Sequence, residues 1–114
     1  MALRVPANRR PITPGAVLRE DYLEPLQLTQ QAVADAIGVD RTTLNEVLNA
    51  RRGVTPDMAL RLARAFGPSP QYWLNLQTAV DLYDAQHSPK AARIAKIRPL
   101  VRRRQSGPPA QLLR

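Results

Sequence analysis

A chain of 114 residues, 44% of them apolar, is long enough for one domain with a modest core and a tail, and too short for several domains. With no cysteine it has neither a disulfide framework nor a thiolate metal site, and its single histidine, His87, has no companion for a metal site, so no metal or cofactor is expected. No apolar run is long enough to cross a bilayer or to act as a signal peptide, which makes a soluble, cytoplasmic protein without membrane contact the expectation.

The net charge of +8 is unevenly spread. Residues 1–19 carry four arginines and no acid, residues 20–84 carry five arginines against nine acids, and residues 88–114 carry six arginines and two lysines. A mildly acidic centre is therefore flanked by two basic ends. Any anion-binding face on the centre has to be local, with the ends supplying long-range attraction to phosphate.

In chain order, helix starts are unusually legible. Thr13-Pro14, Thr55-Pro56, Ser69-Pro70 and Ser88-Pro89 each place a hydroxyl cap before a proline. Proline suits the first helical position because its missing amide hydrogen would be unpaired there anyway. Thr29 and Asp40 are two further caps. The spacing predicts helices over 14–24, 30–37, 41–49, 56–66, 70–86 and 89–97, and no segment shows the sustained alternation of a strand, so the class is all-α.

The first helix is expected to bury Val17, Leu18, Tyr22 and Leu23, and Pro25 to end it near Glu24. The next two read as a unit. Val33, Ala34 and Ile37 form one stripe, Gly38 permits a left-handed exit, Val39 plugs the angle between the helices, and Leu44, Val47 and Leu48 form the second stripe. Ala34 is small enough to let the pair approach closely. Such a unit is either an αα-hairpin whose polar face meets only water or a helix-turn-helix.

The polar face of the second helix favours the latter. Arg41, Thr42, Thr43, Asn45, Glu46 and Asn49 all carry hydrogen-bonding groups suited to base edges. A helix entering the major groove by its N-terminal end would present Arg41 and Thr42 first, then Asn45 and Glu46 one turn later. Arg51 and Arg52, in the loop that follows, are placed to clamp phosphates, and Gln30 opens the preceding helix, whose end bears partial positive charge.

In the helix over 56–66, Met58, Ala59, Leu62, Ala63 and Phe66 make an inward stripe closed by Gly67. The helix over 70–86 is apolar on two sides: Trp73, Leu76, Val80 and Tyr83 on one, Leu74 and Leu82 on another. It therefore wants two partners. One is the core; the other is either a second copy of the chain, with Leu74 and Leu82 as a dimer interface, or the sixth helix of the same chain. Domain boundaries follow: a basic N-terminal arm at 1–12, a helix-turn-helix domain at 13–86, and a basic extension at 87–114 whose Arg102-Arg103-Arg104 and Gly107-Pro108-Pro109 read as an arm.

From Pro14 to about Ala85 the residues resemble the HigA/VapI type of antitoxin, a branch of the Xre/Cro-like helix-turn-helix repressors. The marks are Pro14-Gly15, Leu18-Arg19-Glu20, Tyr22-Leu23-Glu24-Pro25-Leu26 and Leu44-Asn45-Glu46-Val47-Leu48-Asn49, then Ala59-Leu60-Arg61-Leu62-Ala63, Ser69-Pro70, Trp73-Leu74-Asn75-Leu76-Gln77 and Asp81-Leu82. The resemblance implies a five-helix, lambda-repressor-like DNA-binding domain, here with a short additional C-terminal helix and basic tail. It implies a homodimer that binds double-stranded operator DNA, represses its own operon and neutralises a RelE/HigB-like mRNA-cleaving toxin, and it puts Gln30, Arg41, Thr42, Asn45 and Arg51 or Arg52 at the DNA. Two positions depart from the family pattern: Ala50 stands where glycine is usual, so Asn49 or another residue must bear a left-handed turn, and Val80 stands where an aromatic is common.

Three function classes remain: an autorepressing antitoxin, a free-standing repressor of the same fold, and a helical protein- or RNA-binding module. An enzyme is not expected, since no nucleophile–base pair, metal cluster or phosphate-cradling glycine loop is present in the sequence.

Overall fold

The computed structural model describes residues 9–101, which are helical with no strand among them. Helix α1 covers 14–26 in three joined pieces: α-helical Pro14–Val17, π-helical Leu18–Leu23 and α-helical Glu24–Leu26. It is followed by α2 (Gln30–Ile37), α3 (Arg41–Leu48), α4 (Pro56–Phe66), α5 (Pro70–Gln86) and α6 (Ala91–Ala95). Thr13, Thr29, Asp40, Thr55 and Ser69 all act as caps, each accepting from the amide three residues on.

Helix α1 corrects an expectation. Pro25 does not end it near Glu24 but lies within its last turn. In regular α geometry a proline ring presses on the carbonyl four residues earlier. Here the turn just before it is widened, with the Glu24 amide bonding Arg19 O five residues back, which accommodates the ring. The helix stops at Gln27, in the left-handed region at φ 55°, and Leu28 N–H closes the end on Leu23 O at 2.9 Å.

The predicted stripes of α1 to α4 meet in a single core. Leu18, Ala34, Leu44, Ala59, Leu62 and Trp73 are completely buried, with Val17, Leu23, Val33, Ile37, Val47, Leu48, Val54 and Met58 around them. Tyr22 and Phe66 are half-buried against this core, and their rings lie 4.9 Å apart. Helix α1 packs on α3 and α5, α2 on α3 and α4, and α4 on α5. The α1–α3 crossing brings backbone against backbone: a methyl group at Gly15 would stand 2.1 Å from Val47 O and 2.7 Å from Leu48 O. Only glycine fits there.

The C-terminal end departs from expectation. Helix α6 spans only Ala91–Ala95 rather than 89–97, and Ser88 does not cap it as a hydroxyl–proline pair would; Lys90 occupies the cap position without a side-chain bond. Ser88 Oγ donates to Ala85 O at 2.8 Å, closing the end of α5, and accepts from Lys90 N–H at 3.3 Å in the turn before α6. None of the α6 residues is buried, and Leu82 on α5 stays 56% exposed, so α6 does not cover the second apolar side of α5. Leu74 differs from Leu82, being half-buried against its own chain's core. Arg102-Arg103-Arg104 and Gly107-Pro108-Pro109 lie outside the described residues.

Candidate nucleic-acid interface

The α2–α3 turn is built as the glycine predicts. Gly38 lies in the left-handed region at φ 77°, and both Gly38 N–H and Val39 N–H bond Ala34 O. A residue of α4 completes it: Arg61 Nη1 donates to Ile37 O at 2.8 Å and Gly38 O at 3.3 Å, satisfying carbonyls that a helix end leaves open. Asp57, one turn earlier, holds the Arg61 guanidinium at 3.0 Å.

Arg41 and Thr42 are exposed at the start of α3. Thr43 is half-buried, and its amide is the one that Asp40 caps, at 2.7 Å. That bond favours the charged carboxylate, so the Asp40 pKa lies below its ordinary value. Asn45 is half-buried and donates to Gln30 Oε1 at 3.1 Å, joining α3 to the first turn of α2. Asn49 donates to Asn45 O at 3.0 Å and Asn45 Oδ1 at 3.2 Å. Gln30, Asn45 and Asn49 thus form one string of amides along the solvent side of α2 and α3.

Arg19 joins this string from α1. Its Nη2 donates to Leu48 O at 3.0 Å and Asn49 Oδ1 at 3.2 Å, so it fastens the C-terminal end of α3 as Arg61 fastens that of α2. Neither arginine was singled out for a role by composition or spacing. The signal available was their place in the runs Leu18-Arg19-Glu20 and Leu60-Arg61-Leu62.

After α3 the chain turns at Ala50, the left-handed residue at φ 58°, while Asn49 keeps a negative φ of −98°. Arg51 N–H and Arg52 N–H both bond Glu46 O, at 2.8 and 3.2 Å. This settles the path that the missing glycine left open: the loop folds back on the last turn of α3. Arg51 and Arg52 are both exposed, and the Arg52 guanidinium bonds Glu46 Oε1 through Nε at 2.8 Å and Nη2 at 2.6 Å. Glu46 is thereby engaged with Arg52 on the surface where it was expected to meet a base. The loop ends at buried Val54, whose amide donates to Gln77 Oε1 of α5 at 2.8 Å.

A second tie crosses from the N-terminal segment. Arg10 Nε and Nη2 bond the two carboxylate oxygens of Asp84 on α5, each at 2.9 Å. The guanidinium holds the Asp84 pKa below its ordinary value.

Comparison with known proteins gives the family of this fold. The Helix-turn-helix family profile matches residues 20–73. Antitoxin HigA-1 of Vibrio cholerae is 44% identical over 81 residues, which is 70% of this chain and 75% of the relative. The chain belongs to the HigA family of Xre-type helix-turn-helix antitoxins. Two solved HigA-type structures carry the likeness into three dimensions. Antitoxin GraA superimposes with a TM-score of 0.75 at 42% identity, covering 80% of this chain and 98% of that one. Pseudomonas aeruginosa antitoxin HigA, solved with the higBA promoter, gives 0.74 at 38% identity, covering 81% and 100%. The all-helical architecture matches that of the HigA antitoxin structures.

Proposed function

We propose that this chain is a DNA-binding antitoxin that represses its own operon and neutralises a RelE/HigB-like mRNA-cleaving toxin by direct contact. One observation carries the DNA-binding half: Arg41 and Thr42 are exposed at the N-terminal end of a helix whose Asn45 and Glu46, with Asn49 at its C-terminal cap, are already ordered by Gln30, Arg52 and Arg19. A helix presented this way reads bases with its first turn while neighbouring groups bond phosphates. The solved relative with its promoter supports the same reading. Arg41 reads guanine, Asn45 reads adenine or a phosphate, and Thr42, Thr43, Glu46 and Asn49 border the groove. Gln30, Arg51 and Arg52 contact the backbone.

The domain at 13–86 forms a homodimer through the uncovered side of α5 with Leu82 at its centre and, about two turns earlier, the exposed edge of Leu74, and two recognition helices enter successive major grooves one helical turn apart. The arms at 1–12 and 87–114 add non-specific attraction.

Gel shifts of the DNA upstream of its own reading frame, combined with co-expression of the neighbouring frame, test the proposal. Arg41→Ala is expected to cost about 1 to 3 kcal/mol on the specific site and much less on random duplex. Equal losses on both would remove its base-reading role. Co-purification of the neighbouring product supports the antitoxin half; a shift without a partner leaves a free-standing repressor.

A further inference from the structure

Gln77 has no part in the proposed DNA contact, yet it reaches the loop that bears two of the contacts. It sits mid-way along α5, half-buried, in the wall of a cleft of about 400 Å³ between α5 and the loop over 50–55. Its Oε1 accepts from Val54 N–H at 2.8 Å, and its Nε2 donates to Asp81 Oδ1 one turn further along α5, at 2.9 Å. Asp81 therefore fixes which end of the amide faces the loop. The loop's other side is shaped to receive it. A methyl group at Gly53 would stand 3.2 Å from the amide carbon of Gln77 and 3.3 Å from its nitrogen, tighter than ordinary contact. Gly53 is not in the left-handed region, so what a side chain there would disturb is the close approach of Gln77, whose amide would have to shift by a few tenths of an ångström.

We propose that Gln77 is a positioning residue for DNA binding, tethering the Arg51–Arg52 loop to α5 so that the phosphate clamp is ordered before DNA arrives. This rests on the DNA-binding reading above. The loop is pinned at two points. Glu46 O holds its start through the amides of Arg51 and Arg52, and Gln77 holds its end through Val54. Releasing the second pin leaves Arg51 and Arg52 on a wider arc, and their phosphate contacts then require ordering at the moment of binding. Because α5 is also the helix whose outer side is uncovered, the tether links that helix directly to the DNA-facing loop.

Gln77→Leu keeps the bulk of the side chain and removes the acceptor. Its expected effect on the upstream duplex is a fall in affinity of roughly five- to thirtyfold, with the ratio of specific to random binding unchanged. The salt dependence becomes shallower by about one phosphate, close to 0.9 in the log–log slope. Pairing Gln77→Glu with Asp81→Asn exchanges acceptor and donor at constant net charge. It keeps an oxygen for Val54 N–H, so affinity and slope return towards wild type. A purely structural Gln77 would lower the melting temperature without moving the slope.

Gly53→Ala displaces the amide without deleting it, which keeps the test open if Gln77→Leu folds poorly. It is expected to weaken binding in the same sense, and adding it to Gln77→Leu to cause no further loss. An unchanged slope in folded Gln77→Leu and in Gly53→Ala, beside a defective Arg41→Ala control, overturns the tether alone. A wild-type chain that shifts no upstream DNA overturns the tether and the DNA-binding reading together.

Discussion

Asn45 donates an amide hydrogen to Gln30 Oε1 across 3.1 Å, so the residue expected at a base and the residue expected at a phosphate are bonded to each other. Each holds the other's rotamer. Alanine at either position is therefore expected to weaken operator binding by about 1 to 2 kcal/mol, and the double variant to lose little more than the worse single one. Fluorescence anisotropy on the four proteins of the cycle checks this; strictly additive losses would show that the two act independently at the DNA.

Glu46 and Arg52 pose a competition. The carboxylate holds a guanidinium proposed to clamp phosphate, and both side chains are partly open to solvent. Exposed pairs of this kind are worth at most about 1 kcal/mol, so DNA can draw Arg52 away. Glu46→Gln removes the competitor and one negative charge from the DNA face. Affinity for random duplex is expected to rise by up to about fivefold, and more at low salt. A fall in affinity would mean that the pair orders Arg52 for binding.

The contact between α1 and α3 depends on Gly15. With carbonyl oxygens 2.1 and 2.7 Å from where a side chain would begin, Gly15→Ala must push the two helices apart. Overpacking of this sort costs about 1 to 3 kcal/mol, here towards the upper end because backbone cannot rotate aside as a side chain can. Urea denaturation measures it, and an unchanged midpoint would mean that α1 is free to slide along α3.

Asp84 and Asp40 predict how stability responds to acid. Asp84 is held below the ordinary 3.8 by Arg10, and Asp40 below the same value by the Thr43 amide. Carboxylates with depressed folded-state values stabilise fully above the unfolded value, and that stabilisation is lost as pH falls through the folded value. Wild type and Asp84→Asn are therefore expected to differ at neutral pH and to converge below pH 3.8 in urea midpoints measured against pH. Curves that stay parallel into strong acid would show that the Arg10 pair contributes nothing to folding.

Much of the molecule was legible before any coordinates. Caps at Thr13, Thr29, Asp40, Thr55 and Ser69 were read correctly because a cap is a local device: one side chain, one amide three residues on. The α2–α3 turn was legible for the same reason, since Gly38 announces its own conformation. Pro25 misled because its effect depends on whether the preceding turn can widen, which the sequence does not reveal. Ser88-Pro89 has the form of a cap, yet α5 runs on to Gln86, and the Ser88 hydroxyl is shared between Ala85 O and Lys90 N–H in a turn, so that α6 starts only at Ala91.

The candidate interface divides along the same line. Arg41 and Asn45 stood out because helical spacing puts their side chains on the polar face of α3, and Arg51 and Arg52 because two adjacent cations follow that helix directly. The pairings among them did not. Bonds such as Gln30 to Asn45, Arg19 to Leu48 O, Arg61 to Ile37 O and Val54 to Gln77 join residues 15 to 29 apart in sequence. Local periodicity carries no information at that range. The sequence by itself determined the helices, their buried stripes and the polar face of α3, because those follow from 3.6-residue spacing and from caps within one turn. Only the tertiary structure decided which polar groups hold one another, since that depends on how closely the helices and the loop over 50–55 approach; Gly15 lets α1 and α3 meet backbone to backbone, and Gly53 leaves room for the Gln77 amide.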